Sequence, residues 1–319
     1  MDKPRISIVI TTYNRAELLA DAIAAIVDQK GVAAAEYEVI VIDNKSTDET
    51  FTVVEKFSKI CSNVRYVFEP EQGSSYARNR GFHEARADWV AYLDDDAVAH
   101  NDYVARLLHL SRAFDFDCFG GVYLAWYRDG RTKWYRDEYG SNLWLQKDTG
   151  YLPAGKYFGA GNCCFHKVVL ETMGGFDVAL GPIGENFSYG EETHLQKRIR
   201  EKGYKIGFDP YLQIDHYVAP YKQHMAWFFK SAYQHGYSSW LVYERKVTLG
   251  YLLLNLAAII LIPLVYLPKN FYRLVVGREY YWQNFFIDTF RRSSSAFGRI
   301  VAGIGNFRSI NANVNRIER

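Results

Sequence analysis

Asp94, Asp95 and Asp96 stand in a row at the end of the apolar run Trp89-Val90-Ala91-Tyr92-Leu93. Three adjacent carboxylates repel one another. The mouth of a strand tolerates them best when a cation sits there. Hard divalent ions such as Mg²⁺ and Mn²⁺ take oxygen ligands and keep a partner's phosphates in their coordination shell. If Asp94 and Asp96 are such ligands, the chain acts on a phosphorylated, nucleotide-activated substrate. A polar loop that simply ends a strand is the alternative reading of the same residues.

The elements around the triplet read as an alternation of strands and helices. Residues 6–11 are β-branched, 16–29 carry helical spacing (Leu18, Leu19, Ala22, Ile23, Ile26, Val27), and 37–43 run apolar on both faces. Such runs fit buried parallel strands. A helix follows over 47–59, a strand over 64–68, a helix over 75–85 and a strand over 89–93. This order predicts an α/β, Rossmann-like, mostly parallel sheet with ligands at the carboxyl ends of its strands. No G-x-G-x-x-G follows the first strand, which disfavours a dinucleotide-dependent oxidoreductase. Beyond the aspartates, 102–114 reads as helix, and 119–160 is rich in glycine and aromatics. Residues 191–202 form a helical pattern with acids in the first turn and Lys/Arg toward its end.

The chain has 319 residues, 49% of them hydrophobic, and a net charge of +2. That charge is uneven. From Lys269 onward nine Lys or Arg face three acids, a net +6, which leaves −4 for the preceding residues. A basic tail after an acidic body suits an anionic surface, lipid or nucleic acid. Residues 247–268 carry no charge; as a helix these 22 residues would run ~33 Å against a hydrocarbon core of ~30 Å. Pro263, Asn255 and Gly250 interrupt the segment, and Arg245, Lys246, Lys269 and Arg273 flank it. Basic residues at both ends favour placing both on the cytoplasmic side. A segment lying in the interface, or dipping in and returning, is preferred, with the basic, aromatic tail on anionic headgroups. A single span and a helix buried in a homo-oligomer interface remain open. The four cysteines (Cys61, Cys118, Cys163, Cys164) show no CxxC spacing and read as reduced thiols. Met-Asp-Lys-Pro leads straight into a strand pattern with no signal peptide, so a cytoplasmic protein is expected.

Six strings in order resemble the family-2 glycosyltransferases of the GT-A fold. They are Ile8-Val9-Ile10-Thr11-Thr12-Tyr13-Asn14-Arg15; Val41-Ile42-Asp43-Asn44-Lys45-Ser46-Thr47-Asp48; Ser75-Tyr76-Ala77-Arg78-Asn79-Arg80-Gly81; Tyr92-Leu93-Asp94-Asp95-Asp96; Gly174-Gly175-Phe176-Asp177; and Gly190-Glu191-Glu192-Thr193-His194-Leu195, with a later His216. The resemblance covers roughly residues 5 to 217. It implies a GT-A domain over 1–217, with a nucleotide-sugar half (1–100) and an acceptor half (101–217). A helical, membrane-associated extension would follow over 218–319.

Residue by residue, the resemblance implies that Thr11 and Tyr13 line the nucleoside pocket, with Asp43 and Asn44 facing base and ribose. Many members carry a second aspartate where Asn44 stands. Uracil is therefore the first choice of base, with thymine and guanine open. Asp48 either joins the pocket or caps the next helix. Arg78 would meet the diphosphate, for which its cationic fork is suited. Asp96 would hold Mn²⁺ or Mg²⁺ directly, and Asp94 through water or by binding ribose. His216 would complete the shell, and Asp95 would touch the donor sugar, beside Gly161 and Asn162. Glu192 is the implied catalytic base, with Glu191 as the alternative, because helical periodicity barely separates them. Trp126, Trp134 and Trp144 are candidates to flank the acceptor sugar.

Together these imply an inverting, metal-dependent transfer from a nucleotide-diphosphate sugar to a glycan or lipid-linked acceptor at the cytoplasmic membrane face. No nucleic acid is involved in this reading. The string Gln223-His224-Met225-Ala226-Trp227 lacks the arginine of processive synthases, so one or a few sugars would be added. A nucleotidyltransferase and an inactive sugar-nucleotide-binding module are the rivals. The first would want a glycine-rich, basic loop after strand one, which Thr11-Thr12-Tyr13-Asn14-Arg15 does not supply.

Overall fold

The computed structural model describes residues 3–143, 145–182, 189–243 and 248–317, with 241 and 306–317 as backbone only. In chain order the elements are β1 (Ile6–Thr12), α1 (Ala16–Val27), β2 (Tyr37–Asp43), α2 (Thr50–Ile60), β3 (Val64–Phe68), α3 (Ser74–Glu84), β4 (Trp89–Asp94), β5 (Ala97–Ala99), α4 (Tyr103–Ala113), β6 (Cys118–Trp126), α5 (Asp137–Gly140), β7 (Gly150–Tyr151), β8 (Asn162–His166), α6 (Lys167–Met173), α7 (Glu191–Glu201), β9 (Ile206–Tyr217), α8 (Met225–Tyr243), α9 (Leu249–Val276) and α10 (Trp282–Ile317).

The chain divides into two compact units. One holds residues 3–126, 137–182 and 191–217; the other holds 127–136, 189–190 and the chain from 218 onward. All nine strands lie in the first unit as one sheet, ordered β3-β2-β1-β4-β8-β6-β9-β5, with β7 pairing β9. Strands β3, β2, β1 and β4 are parallel, as their continuous apolar runs predict. Alternate residues feed the two faces. Ile6, Ile8, Ile10, Val39 and Val41 pack into one core cluster, whereas Val9, Ile40 and Ile42 pack into the other. Gly81 lets α3 lie directly on β1, because a Cβ there would meet Val9 Cγ1 at 2.3 Å.

Two features depart from the sequence expectation. The sheet does not continue parallel past β4: β8 inserts antiparallel between β4 and β6. Helix α2 begins at Thr50 rather than at residue 47. The reason is local. The Thr47 N–H donates to Asn14 Oδ1 at 2.7 Å, so this residue is tied to the loop after β1 and cannot open the helix.

In the second unit, α8 and α9 each pack on α10. The apolar segment read at 247–268 is a longer helix, α9, with Pro263 and Pro268 inside it. By length and composition it is a candidate for crossing a membrane.

Candidate active site

Sheet register sets up the site. Thr11 of β1 lies opposite Ile42 of β2 and Asp94 of β4, and Thr12 lies opposite Asp43. The carboxyl ends of three adjoining strands therefore present Thr11 and Asp94 in one row, with Asp43 one residue further along beside Thr12. Leu93 faces Asn162 at the start of antiparallel β8, which brings Gly161 to the same edge. On the far side of the triplet, Ala97 of β5 pairs with His216 of β9, and the Tyr217 N–H donates to Asp96 O at 2.9 Å.

These pairings gather Asp94, Asp96 and His216. One ligand atom from each lies within 4.8 Å of the others. His216 Nε2 is 3.2 Å from Asp96 Oδ1 and 4.0 Å from Asp94 Oδ2. Two carboxylates and an imidazole are a donor set that a divalent ion such as Mn²⁺ accepts. Burial raises the Asp94 carboxyl above its ordinary value, and the neighbouring Asp96 charge adds to that. A cation would offset both effects, so the residues present fit the ion. Gly161 is part of this geometry, because a Cβ there would fall 1.8 Å from Asp94 Oδ2.

Asp95 is buried, and its Oδ1 accepts from Arg15 Nη1 at 2.9 Å; the same nitrogen donates to Asp96 Oδ2 at 3.0 Å. Burial pushes Asp95 up to about 6 despite the Arg15 charge. Arg15 thus joins two of the three aspartates. Its position in the first of the six strings was visible in sequence, but nothing there marked it as a partner of residues 80 positions away.

Arg78 lies in α3 with both its neighbours fixed. Asn79 accepts from the Phe176 N–H and donates to Phe176 O, both at 2.8 Å, and Ser75 Oγ donates to Leu180 O. The Arg78 guanidinium is buried. Nη1 donates to Glu191 Oε1 at 2.6 Å, and Nη2 stands 3.8 Å from Asp94 Oδ1. Its cation also lies over the Phe176 ring. Arg78 therefore links the acidic triplet to the acidic pair that opens α7. Glu191 is buried in this ion pair, whereas Glu192 keeps part of its surface open. Desolvation, and then repulsion by Glu191, raise Glu192 to about 8.

The loops after β1 and β2 build each other. Asn14 (φ 52°) and Lys45 (φ 70°) both adopt the left-handed conformation, which costs a non-glycine residue of order 1 kcal/mol. Cross-bonds hold them there: Asn14 N–H to Ser46 Oγ, Ala16 N–H to Asp48 Oδ2, and Asn44 N–H to Thr12 O, each at 2.9 Å. Asp48 Oδ1 also accepts from the Thr50 N–H and hydroxyl, a turn contact just before α2, whose N-cap residue is Glu49. Thr11 is half-buried and Tyr13 exposed at this edge. Asp43 is buried, with Oδ1 accepting from the Ser46 N–H and Oδ2 from the Tyr66 hydroxyl. The Asn44 amide bonds the Glu71 carbonyl and the Gly73 N–H. It therefore shapes the turn that launches α3.

Asn162 is fully buried. It accepts from the Tyr103 hydroxyl and donates to the Val122 and Leu212 carbonyls. Its amide is a strut between β6, β8 and β9. Tyr123, unmarked among the many aromatics of 119–160, accepts the Gly161 N–H at 2.7 Å and sets its ring edge-on to His216. Trp126 packs edge-on to Tyr217 in the first unit, and Trp134 packs against Tyr135 and Phe228 in the second. Trp144 lies outside the described residues.

With that geometry in hand, comparison places the chain in a family. The model for glycosyl transferase family 2 matches residues 7–174, and the protein belongs to that family. Glycosyltransferase AglE of Haloferax volcanii is 28% identical over 206 residues, 64% of each chain. This chain thus spans slightly less than two thirds of that relative's length. The glucosyl-dolichyl phosphate glucuronosyltransferase of the same organism is 22% identical over 73% of this chain and 76% of its own. Among solved structures, the mannosyltransferase PcManGT from Pyrobaculum calidifontis, in complex with GDP-Man and Mn²⁺, superposes with a TM-score of 0.61. It covers 95% of this chain and 88% of its own at 17% identity. The shared architecture is the GT-A fold.

Proposed function

We propose that the protein is an inverting, divalent-metal-dependent glycosyltransferase. It moves a sugar from a nucleotide-diphosphate donor to a hydroxyl of a glycan or lipid-linked acceptor, one or a few residues at a time. The observation that carries this reading is the single buried arginine, Arg78, that joins a two-carboxylate, one-imidazole cluster to a pair of glutamates.

The donor nucleotide would lie along the strand ends, with Tyr13 against base or ribose and Thr11 and the Asp43–Asn44 turn below. Uracil is the first choice of base. PcManGT was solved with GDP-Man, which keeps guanine open. Asp94, Asp96 and His216 would hold Mn²⁺ or Mg²⁺; the ion, when bound, neutralises charge on the departing diphosphate.

Glu192 is the proposed base. It takes the proton of the acceptor hydroxyl as that oxygen forms a bond to the anomeric carbon. The bond from this carbon to the diphosphate oxygen breaks, and the nucleoside diphosphate leaves with its electron pair. A single displacement inverts the anomeric configuration. Two observations favour Glu192 over Glu191: Glu191 is neutralised by Arg78, and Glu192 has the raised proton affinity that a base near neutral pH requires. Tyr123 would hold the Gly161 backbone beside Asp94, where the donor sugar and Asp95 would meet. Trp126 is the proposed platform for the acceptor sugar. A dolichyl-phosphate-linked substrate in one relative's name supports a lipid-linked acceptor; the proposed place of transfer is the cytoplasmic membrane face.

The test is a thermal-shift screen of nucleotide sugars with and without Mn²⁺, followed by product analysis. Release of free nucleoside diphosphate and an inverted anomeric centre are expected. Pyrophosphate as product would instead indicate nucleotidyl transfer. Binding without turnover across acceptors would indicate an inactive module.

A further inference from the structure

Helix α9 is inside out. The surface it turns to α10 is polar: Arg299 Nε donates to Asn255 Oδ1 at 2.6 Å, Ser293 Oγ to Ile259 O at 3.0 Å, and Asn270 Nδ2 to Thr289 Oγ1 at 3.0 Å. Arg292 bonds the Tyr266 hydroxyl, and Arg273 pairs with Asp288 at 3.5 Å. Asn255, Pro263 and Asn270 are its buried residues. Apart from Gly250 and Lys269 the exposed positions carry apolar or aromatic side chains, among them Leu253, Leu256, Ile260, Leu261, Leu264 and Phe271. At about 100° per residue these positions span roughly 140°, and with the exposed Leu254, Val265 and Val276 the apolar arc reaches about 200°, a little over half the helix circumference.

A helix of a water-soluble bundle does the reverse, burying an apolar stripe and exposing polar residues. A helix resting on a membrane surface keeps one polar face toward water. In α9, apart from the exposed Lys269 near its C-terminal end, the open residues are apolar and the polar ones contact α10. Polar contacts within a helix pair and apolar residues outside it are how helices are built for hydrocarbon. The packing of α10 on α8 follows the same rules. A Cβ on Gly236 would fall 1.9 Å from Ser295 O, and one on Gly298 would fall 2.2 Å from Tyr233 O, so glycines bring the backbones close. Charge and aromatic rings gather at the turn between α9 and α10, where Arg278, Tyr281 and Trp282 are exposed, as at a headgroup layer.

We infer that α9, with α10 covering its polar seam, is immersed in the hydrocarbon of a bilayer rather than resting on its surface. The inference rests on the membrane-associated reading above and deepens it, because hydrocarbon is the occupant that matches the open face.

The full-length protein with Cys61→Ser leaves three buried cysteines. Leu253→Cys, Leu261→Cys or Phe271→Cys is then labelled with an environment-sensitive fluorophore. The labelled protein is added to phosphatidylcholine–phosphatidylglycerol vesicles carrying brominated acyl chains. Immersion predicts binding that resists high salt, and a Leu261 label quenched several-fold more by bromines deep in the chain than by bromines near the headgroup. Leu261→Asp should lower vesicle partitioning about a hundredfold, the penalty for a carboxylate at the centre of an inserted helix. Salt-reversible binding with shallow quenching at all three positions would overturn immersion while keeping surface association. No vesicle binding would overturn both. Lipid-independent energy transfer between labelled copies would assign the face to a second copy and overturn the inference.

Discussion

Arg78 and Glu191, 113 positions apart in the chain, meet at 2.6 Å in the interior of the catalytic unit. The contact ties the third helix to the seventh and holds Glu191 in an ion pair. Arg78 also stands near Asp94, so an acid that would serve the metal and the neighbour of the proposed base share one cation. Burial alone would lower the arginine's proton affinity, but Glu191 and then Asp94 hold it protonated.

Arg78→Ala leaves Glu191 buried without its partner. Removing one member of a buried pair costs about 3–5 kcal/mol. Chemical denaturation of the variant should show a loss of that size. The double variant Arg78→Leu, Glu191→Leu should recover part of it. An Arg78→Ala protein as stable as the parent would show that the pair contributes nothing.

Glu192→Gln should lower turnover by roughly a hundredfold or more, the range for loss of a general base. In the parent, activity should rise with pH and level off above about 8, where Glu192 ionises. Stability should move the other way. A carboxyl raised from 4.5 to about 8 binds its proton more tightly when folded. Its contribution is full below the lower value and is lost as pH rises to the upper one. Glu192→Gln should therefore match the parent in thermal midpoint near pH 4.5 and exceed it above pH 8. A parent-like midpoint at both ends would remove the raised proton affinity from the account.

Mn²⁺ should raise the thermal midpoint of the parent, since a ligand that binds only the folded state stabilises it. Asp96→Asn should abolish the shift, and His216→Ala should weaken it by removing one of three donors. An undiminished shift in both variants would place the ion elsewhere.

Gly161→Ala tests the close approach of the backbone to Asp94. The new Cβ would overlap the carboxylate and displace it. The circular dichroism spectrum should be retained, while the Mn²⁺-induced shift and sugar transfer fall together. A variant with full activity would mean that Asp94 has room to spare.

The parallel half of the sheet was readable because strands buried on both faces appear as unbroken apolar runs, as in Val39-Ile40-Val41-Ile42. The antiparallel β8 was not readable. Its sequence, Asn-Cys-Cys-Phe-His, is too short for periodicity to set direction. The candidate metal residues were marked by motif order, but their company was hidden. Arg15 reaches Asp95 and Asp96 only because α1 begins beside the turn after β4. Asn162 carried the wrong cue: a polar residue beside glycines looked like a ligand contact, and tertiary packing made it a core strut. The Trp126 and Trp134 pair likewise looked like neighbours in sequence, yet they belong to different units.

The pairing of His216 with Ala97 has a consequence for the order in which the molecule becomes competent. The two aspartates emerge early from the ribosome, and the imidazole more than a hundred residues later, on the last strand of the sheet. Until β9 docks, the growing chain offers an incomplete set of ligands. If these three residues hold an ion, tight binding would therefore require the finished sheet.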